Sequence, residues 1–188
     1  MPRQQFNKQT ALESSVAVFW QQGFHGTSML DILEATQLKP GSIYHAFENK
    51  EGLFKASLKQ YFDTGLAQAS NVMNNSPTVG IGICSILKKM IKESAKDNYC
   101  SCFLIKSQLE ITENQTDLNS YITLLLEKTK QNYLQFLLKE YDPQTAQTHA
   151  TSLMVHIFGI RVYGYQKKNT KELLASVKQG LDWLPWDK

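Results

Sequence analysis

The residues best suited to chemistry in this chain lie close together near its start. Lys39-Pro-Gly-Ser-Ile-Tyr-His45 sets an amine, a hydroxyl, a phenol and an imidazole around the apolar Ile43, with Phe47 completing an apolar pair one turn later. Such tips on one helix face can donate to phosphate oxygens or to base edges. Gly41 carries no side chain, so the backbone there can come close to a large partner. Upstream, Ser28 stands where a helix should begin, and its free N–H groups and hydroxyl suit an anion. Lys39 and Lys50 supply charge at the two ends of the unit. The same residues also fit a surface turn and helix whose polar tips merely meet water.

The elements that must hold these residues are short. Ser28 with Asp31 three residues on forms a capping-box pattern, and Met29, Ile32 and Leu33 face inward before Leu38 closes a turn. Pro40 then opens a second helix. Two helices of this length are not stable alone. They are expected to lean on a first helix, about Asn7 to Gln22, which carries Leu12, Ser15, Val16, Phe19 and Trp20 and ends at Gly23. After Glu48-Asn-Lys-Glu-Gly52, a long amphipathic helix runs through Leu53, Phe54, Leu58, Tyr61, Phe62 and Leu66.

Beyond the Pro77 loop the pattern stays helical. Ile83, Ile86, Leu87, Met90 and Ile91 mark one helix, Cys102–Ile111 a short buried one, and Thr116 to Tyr141 a longer one. Asp142 caps the next, with Pro143 at its first position. That helix has two apolar stripes, one of Leu153, Met154 and Ile157, the other of Val155, Phe158 and Val162, so it must be sandwiched. A last helix is expected from Thr170 to Leu184. No sustained period-two strand and no internal repeat is found. The expected fold is all-α: a three-helix helix-turn-helix head over residues 1–52, joined by a long helix to a regulatory and dimerisation body over 53–188.

Composition narrows the classes. The 188 residues carry a net charge of +3, a weak lean toward polyanions. Within Thr27 to Lys50 the acids Asp31, Glu34 and Glu48 outnumber Lys39 and Lys50, so a nucleic-acid reading rests on pattern and not on basicity. Three cysteines make no secreted disulfide framework, and no apolar leader or membrane-length run is seen, which points to the cytoplasm. Asn74-Asn-Ser76 and Asn114-Gln-Thr116 match the glycosylation sequon by chance on that reading. Nucleophile elbow, P-loop, zinc-protease helix and dinucleotide fingerprint are all missing, so no enzyme and no cofactor is expected.

Gly23-Phe-His-Gly-Thr-Ser-Met-Leu-Asp-Ile32 followed by Pro40-Gly-Ser-Ile-Tyr-His-Ala-Phe-Glu-Asn-Lys-Glu-Gly-Leu-Phe54 resembles the DNA-binding head of the TetR family of bacterial transcriptional regulators. The resemblance covers about the first third of the chain. It implies a DNA-contacting set of Thr27, Ser28, Lys39, Pro40, Gly41, Ser42, Tyr44, His45 and Lys50. In it Tyr44 and Lys50 mainly grip phosphate, and Lys39, Ser42 and His45 lie nearer the bases. The implied protein is a homodimer, paired through its last two helices, that represses from a palindromic operator and releases it when a small molecule binds the body. Two residues depart from the family pattern. Gln37 stands where the turn commonly carries glycine, and a left-handed backbone there costs about 1 kcal/mol. Ala46 replaces a polar residue, often histidine, that usually touches phosphate, so one backbone contact is expected to be missing.

Candidate effector-binding residues are Phe103, Gln108, Tyr121, Tyr133, His156 and Tyr163, aromatic walls with a few polar groups, though each also suits ordinary packing. Cys102 joins them. The stretch Tyr99-Cys-Ser-Cys-Phe-Leu-Ile-Lys-Ser-Gln-Leu-Glu110 is similar to one in a TetR subgroup that includes regulators responding to electrophiles or oxidants. A thiol at a helix N-terminus is also favoured as thiolate. The plainer reading is a small residue at a tight helix start. A Cys-x-Cys metal site lacks its further ligands, so no metal is expected. The rival to a DNA-binding regulator is a helical small-molecule-binding or adaptor protein, which has no need of Gly41, Tyr44 and Lys50 in this arrangement.

Overall fold

The computed structural model describes residues 8–112, 116–166 and 170–187. In chain order these form α1 (Lys8–Gly26), α2 (Met29–Thr36), α3 (Pro40–Phe47), α4 (Lys50–Asn74), α5 (Val79–Ser94), α6 (Phe103–Glu110), α7 (Thr116–Leu137), α8 (Pro143–Tyr163), a 3-10 turn (Gly164–Gln166) and α9 (Thr170–Gly180). No strand occurs among the described residues, and the all-α architecture is the one expected. Asn7, the expected start of the first helix, and Asn114 of the second sequon lie outside the described residues.

Two compact units divide the chain: Met1–Thr64 with Lys106–Leu125, and Gly65–Ile105 with Leu126–Lys188. These limits differ from the division at 52/53 drawn for function. The compact unit around the head takes in the first part of α4, the end of α6 and the first part of α7.

In the first unit the buried stripe of α1 is Ala11, Ser15 and Phe19, with Leu12, Val16 and Trp20 only half-buried on its flanks. Phe19, Ile32, Ile43, Leu53, Phe54 and Leu58 are fully buried. Burial of each large apolar side chain is worth about 1.5–3 kcal/mol. The Phe19 and Phe54 rings meet edge to face at 5.0 Å, and Phe24 lies 4.9 Å from Phe54. Each short helix has a defined stop. Gly23 breaks α1 with φ 79° and ψ −178°, and Gln37 ends α2 in the left-handed region at φ 56°. Asn49 then caps α4, its side-chain oxygen accepting the Gly52 N–H at 2.8 Å. At Gly52 a Cβ would overlap the Phe47 carbonyl oxygen, so the turn between α3 and α4 closes only around a glycine.

The second unit packs Ile83 and Leu87 of α5, Leu137 of α7, Leu153 of α8 and Leu181 around one core. Thr78 caps α5 by accepting the Ile81 N–H, and Asp142 caps α8 by accepting the N–H groups of Gln144 and Thr145. Of the two stripes on α8, Leu153 and Ile157 are buried, whereas Val155 and Val162 are exposed at 65% and 45%. The last helix is shorter than expected. It ends at Gly180, where a Cβ would strike the His156 imidazole. The chain then turns back, with the Trp186 indole N–H donating to the Leu181 carbonyl at 2.8 Å. Leu181, Leu184 and Trp186 are thereby buried without a helix, which is why apolar spacing alone overextended it.

His149 stacks flat on Trp183, 3.8 Å between ring centroids, with Tyr141 edge-on at 4.9 Å.

Substituting Gly52→Ala forces the Phe47 carbonyl aside and should cost about 1–3 kcal/mol in urea unfolding. An unchanged midpoint would show that the turn opens freely. A second expectation concerns pH. Burial depresses the His149 pKa below the ordinary value of 6.5, against the opposing charges of Asp142 and Asp182. The unfolded chain therefore binds the proton more readily, and the associated stability is complete above the unfolded value and lost as pH falls through the folded one. The melting temperature should drop on acidification below pH 6.5, and His149→Phe should flatten that drop.

Candidate nucleic-acid interface

The α2–turn–α3 unit is built by local rules. Ser28 accepts the Asp31 N–H at 3.1 Å, while its own N–H donates to Asp31 Oδ2 at 2.7 Å, so the capping box is complete. The Ser28 hydroxyl also donates to that oxygen at 2.6 Å. These two Ser28 hydrogen bonds hold the Asp31 carboxyl below its usual range. The first-turn N–H groups of Met29 and Leu30 have no partner within the helix and remain for an outside acceptor. Thr27 is buried, its hydroxyl donating to the Gly23 carbonyl at 2.6 Å; it braces the turn and does not present a free hydroxyl.

α3 shows a clear division of faces. Ile43 and Phe47 point into the core at 0% and 6% exposure. Lys39, Pro40, Gly41, Tyr44 and His45 are exposed, and Ser42 is half-buried. Space around Gly41 is open, with nothing within 4 Å of where a Cβ would stand. Lys39 is the N-cap residue and makes no side-chain cap bond, while its carbonyl accepts the Ser42 N–H at 2.9 Å. α3 and its N-cap thus offer an amine, a phenol and an imidazole to solvent beside bare backbone. Lys50 is half-buried, its ammonium 4.6 Å from the centre of the Phe24 ring. Burial depresses its pKa, and the carboxylates of Glu110 and Asp31 act in the opposite sense.

Both departures flagged in the sequence have structural counterparts. Gln37 adopts the left-handed backbone that glycine would take without strain, and its side-chain amide donates back to the Glu34 carbonyl at 2.6 Å. Ala46 is half-buried and offers no polar group. Glu48 is a second residue with positive φ, at 67°, which the sequence did not suggest.

Sequence reasoning also missed two residues that hold this unit. The Glu110 carboxylate accepts the N–H of Phe24 at 3.0 Å and of His25 at 2.7 Å, and the Lys106 ammonium donates to the Trp20 carbonyl at 2.5 Å. Their spacing of four on α6 was visible, but no local signal reveals a partner some 85 residues away.

The candidate effector residues sit in different surroundings. Phe103 and Tyr133 are core residues at 1% and 3% exposure, and burial drives the Tyr133 phenol up to about 12. Gln108 accepts from the Thr123 hydroxyl at 3.3 Å. Tyr121 is half-buried in the first unit. Cys102 is half-buried directly before α6, at the helix start expected for it. His156 and Tyr163 line a 430 Å³ cleft between α8 and α9, with Ser94, Val155, Gly159, Glu172 and Ser176 among its walls. Among the described residues no group of three or more His, Cys, Asp or Glu is placed to hold a metal ion, and no helix is long and apolar enough to cross a membrane.

Comparison with known proteins agrees with this geometry. Residues 11–57 match the family model for bacterial regulatory proteins of the tetR family, a span that takes in α2 and α3 and ends within α4. The chain is 28% identical over 134 residues to the HTH-type transcriptional repressor ComR of Escherichia coli, covering 69% of this chain and 64% of that protein. It is 24% identical over 136 residues to IcaR of Staphylococcus epidermidis, the HTH-type negative transcriptional regulator of the biofilm operon icaADBC, with coverages of 72% and 70%. Among solved structures, a cysteine mutant of the TetR family regulator CifR, complexed with 26-base-pair operator DNA, superposes with a TM-score of 0.82 at 24% identity, over 98% of this chain and 100% of that one. The reduced form of Escherichia coli NemR gives a TM-score of 0.70 at 16% identity, over 91% and 94%. The head residues, the all-α fold and these likenesses agree: residues 11–57 of this chain match the N-terminal domain of the tetR family of bacterial regulatory proteins.

Proposed function

We propose that this chain is a homodimeric transcriptional repressor that binds a palindromic operator through α3 and releases it when a small molecule occupies the body. The observation that carries the reading is the division of α3. Its apolar face is buried at Ile43 and Phe47, while Gly41, Tyr44 and His45 on α3 and Lys39 at its N-cap are exposed to solvent. An adaptor that only packed against proteins or ligands would gain nothing from that bare, polar helix face. The names of the relatives support the reading, ComR and IcaR being negative regulators and CifR having been solved on operator DNA. Tyr44 and Lys50 are assigned to phosphate, with Lys39, Ser42 and His45 nearer the bases. Two copies of α3 would enter successive major grooves on one face of the duplex, about one helical turn apart. On this reading residues 1–52 form the DNA-binding part and 53–188 the sensing and dimerising part.

The second copy is expected to dock on α8 and α9. Val155, Val162 and Tyr163 are exposed on α8 at 65%, 45% and 55%, and Gly159 sits among them with open space around it. An exposed apolar stripe of this kind is a protein-contact surface more often than a solvated one. An effector would act by binding more tightly to a dimer whose two heads no longer match the operator spacing.

A mobility-shift titration against the DNA upstream of its own gene should show binding that weakens as salt rises. Tyr44→Phe with Lys50→Ala should weaken all sequences alike and lower the slope of log K against log salt by about 1. Loss of sequence preference at an unchanged slope would reverse the assignment of those two residues. For the dimer, Gly159→Leu with Val155→Glu meets no obstacle within one protomer and should convert the sedimenting dimer to monomer at an unchanged melting temperature of the monomeric fold. A dimer that persists would move the interface elsewhere.

A further inference from the structure

At Gly23 the backbone leaves helical geometry and starts afresh, which creates two sets of unmatched groups. The carbonyls that end the first segment carry partial negative charge, and the N–H groups that open the next turn carry partial positive charge. α6 answers both from one face. Lys106 donates to the carbonyls of Trp20 at 2.5 Å and Gln21 at 3.3 Å. One turn on, Glu110 accepts from Phe24 at 3.0 Å and His25 at 2.7 Å. The carboxylate lies where a side chain at position 23 would stand, 2.5 Å from an added Cβ. Gly23 is thus required twice, for its φ of 79° and for the space that Glu110 occupies.

We propose that Lys106 and Glu110 are a positioning pair for operator binding, a charged clip that sets the direction in which the chain leaves α1 for α2 and so the angle that α3 presents. The proposal rests on the DNA-binding reading above. Three connections pass through the clipped residues. The Gly23 carbonyl accepts from Thr27, which leads into the Ser28 cap. The Phe24 ring packs on Phe54 of α4 and lies under the Lys50 ammonium. Glu110 is also among the charges that act on Lys50. A shift of this one turn therefore moves the α2 cap and, with it, the angle of α3. Reading bases demands that geometry, whereas holding phosphates of any sequence demands mainly charge.

The test uses the full-length protein with two duplexes of equal length, one its footprinted operator and one a random sequence. Glu110→Ala should lower operator affinity about tenfold, the scale of lost charge-assisted hydrogen bonds. Random-duplex affinity should stay within about twofold, and the salt slope should be unchanged, because no phosphate contact is removed. Amide exchange at Phe24 and His25 should accelerate. Glu110→Gln keeps the size and one acceptor and should give an intermediate loss, which serves if the alanine variant folds poorly. Lys106→Met should reproduce the operator-selective loss. If the wild type prefers neither duplex, the DNA-binding reading fails and takes the proposal with it. If the wild type prefers its operator and a folded Glu110 variant with freed amides binds it equally well, the proposal alone is overturned. A loss equal on both duplexes would also overturn it, since that would mark general damage to the head and not a changed angle of α3.

Discussion

An eight-residue helix does not hold itself together in water, and α2 and α3 are both of that length. Their existence depends on burial. Ile32 from α2 and Ile43 and Phe47 from α3 pass into a core shared with Phe19, Leu53, Phe54 and Leu58. That demand uses one face of α3 and frees the other. With the apolar residues committed inward, the helix can carry Lys39, Gly41, Tyr44 and His45 outward at no cost to packing. The exposed face is thus the remainder of a packing problem already solved beneath it.

Short helices also need abrupt ends, and four residues in the turns of the head supply them differently. Gly23 and Gly52 are dictated by space, one by the Glu110 carboxylate and the other by the Phe47 carbonyl. Gln37 and Glu48 instead accept positive φ with side chains attached, Gln37 in the left-handed region at about 1 kcal/mol and Glu48 at the rarer φ 67°, ψ −53°. Gln37 recovers part of that through its bond to the Glu34 carbonyl. Strain of this kind is tolerated where surrounding packing over-determines the backbone, and the buried Ile32 and Ile43 lie close on either side of Gln37.

Local features were readable without coordinates because local chemistry specifies them. The Ser28–Asp31 box, Pro40 at a helix start, the glycine break at position 23 and the Asp142–Pro143 cap each depend on residues within four positions of one another. Non-local features were not readable. Glu110 finds the turn after Gly23, and Leu181, Leu184 and Trp186 bury themselves in a returning chain that helical spacing had read as more helix. The candidate effector residues suffered from the same limit. Aromatic side chains at helical spacing fit a core as well as a cavity, and Phe103 and Tyr133 are core. The two stripes on α8 were legible as a demand for two partners. Folding supplies one for Leu153 and Ile157 and leaves Val155 and Val162 for the other.

The weak basicity of the head is the last point that the geometry resolves. Counted along Thr27 to Lys50, acids exceed bases, which argues against a surface that binds DNA by charge. The acids are not equivalent, however. Asp31 is ionised within its capping box, its charge met by two Ser28 donors and by the attraction of Lys50. Placed at the N-terminus of α2, that charge also lies where the helix dipole favours it. It shapes the head more than it repels a partner. Toward solvent α3 carries a phenol and an imidazole, with the Lys39 amine at its N-cap and the Glu48 carboxylate at its C-cap. On the proposed DNA-binding reading, such a head has few charges with which to hold phosphates of arbitrary sequence, and most of its discrimination would come from the fit of α3 in the groove. Fit depends on the angle of α3, so the residues that set that angle matter as much as those on its exposed face.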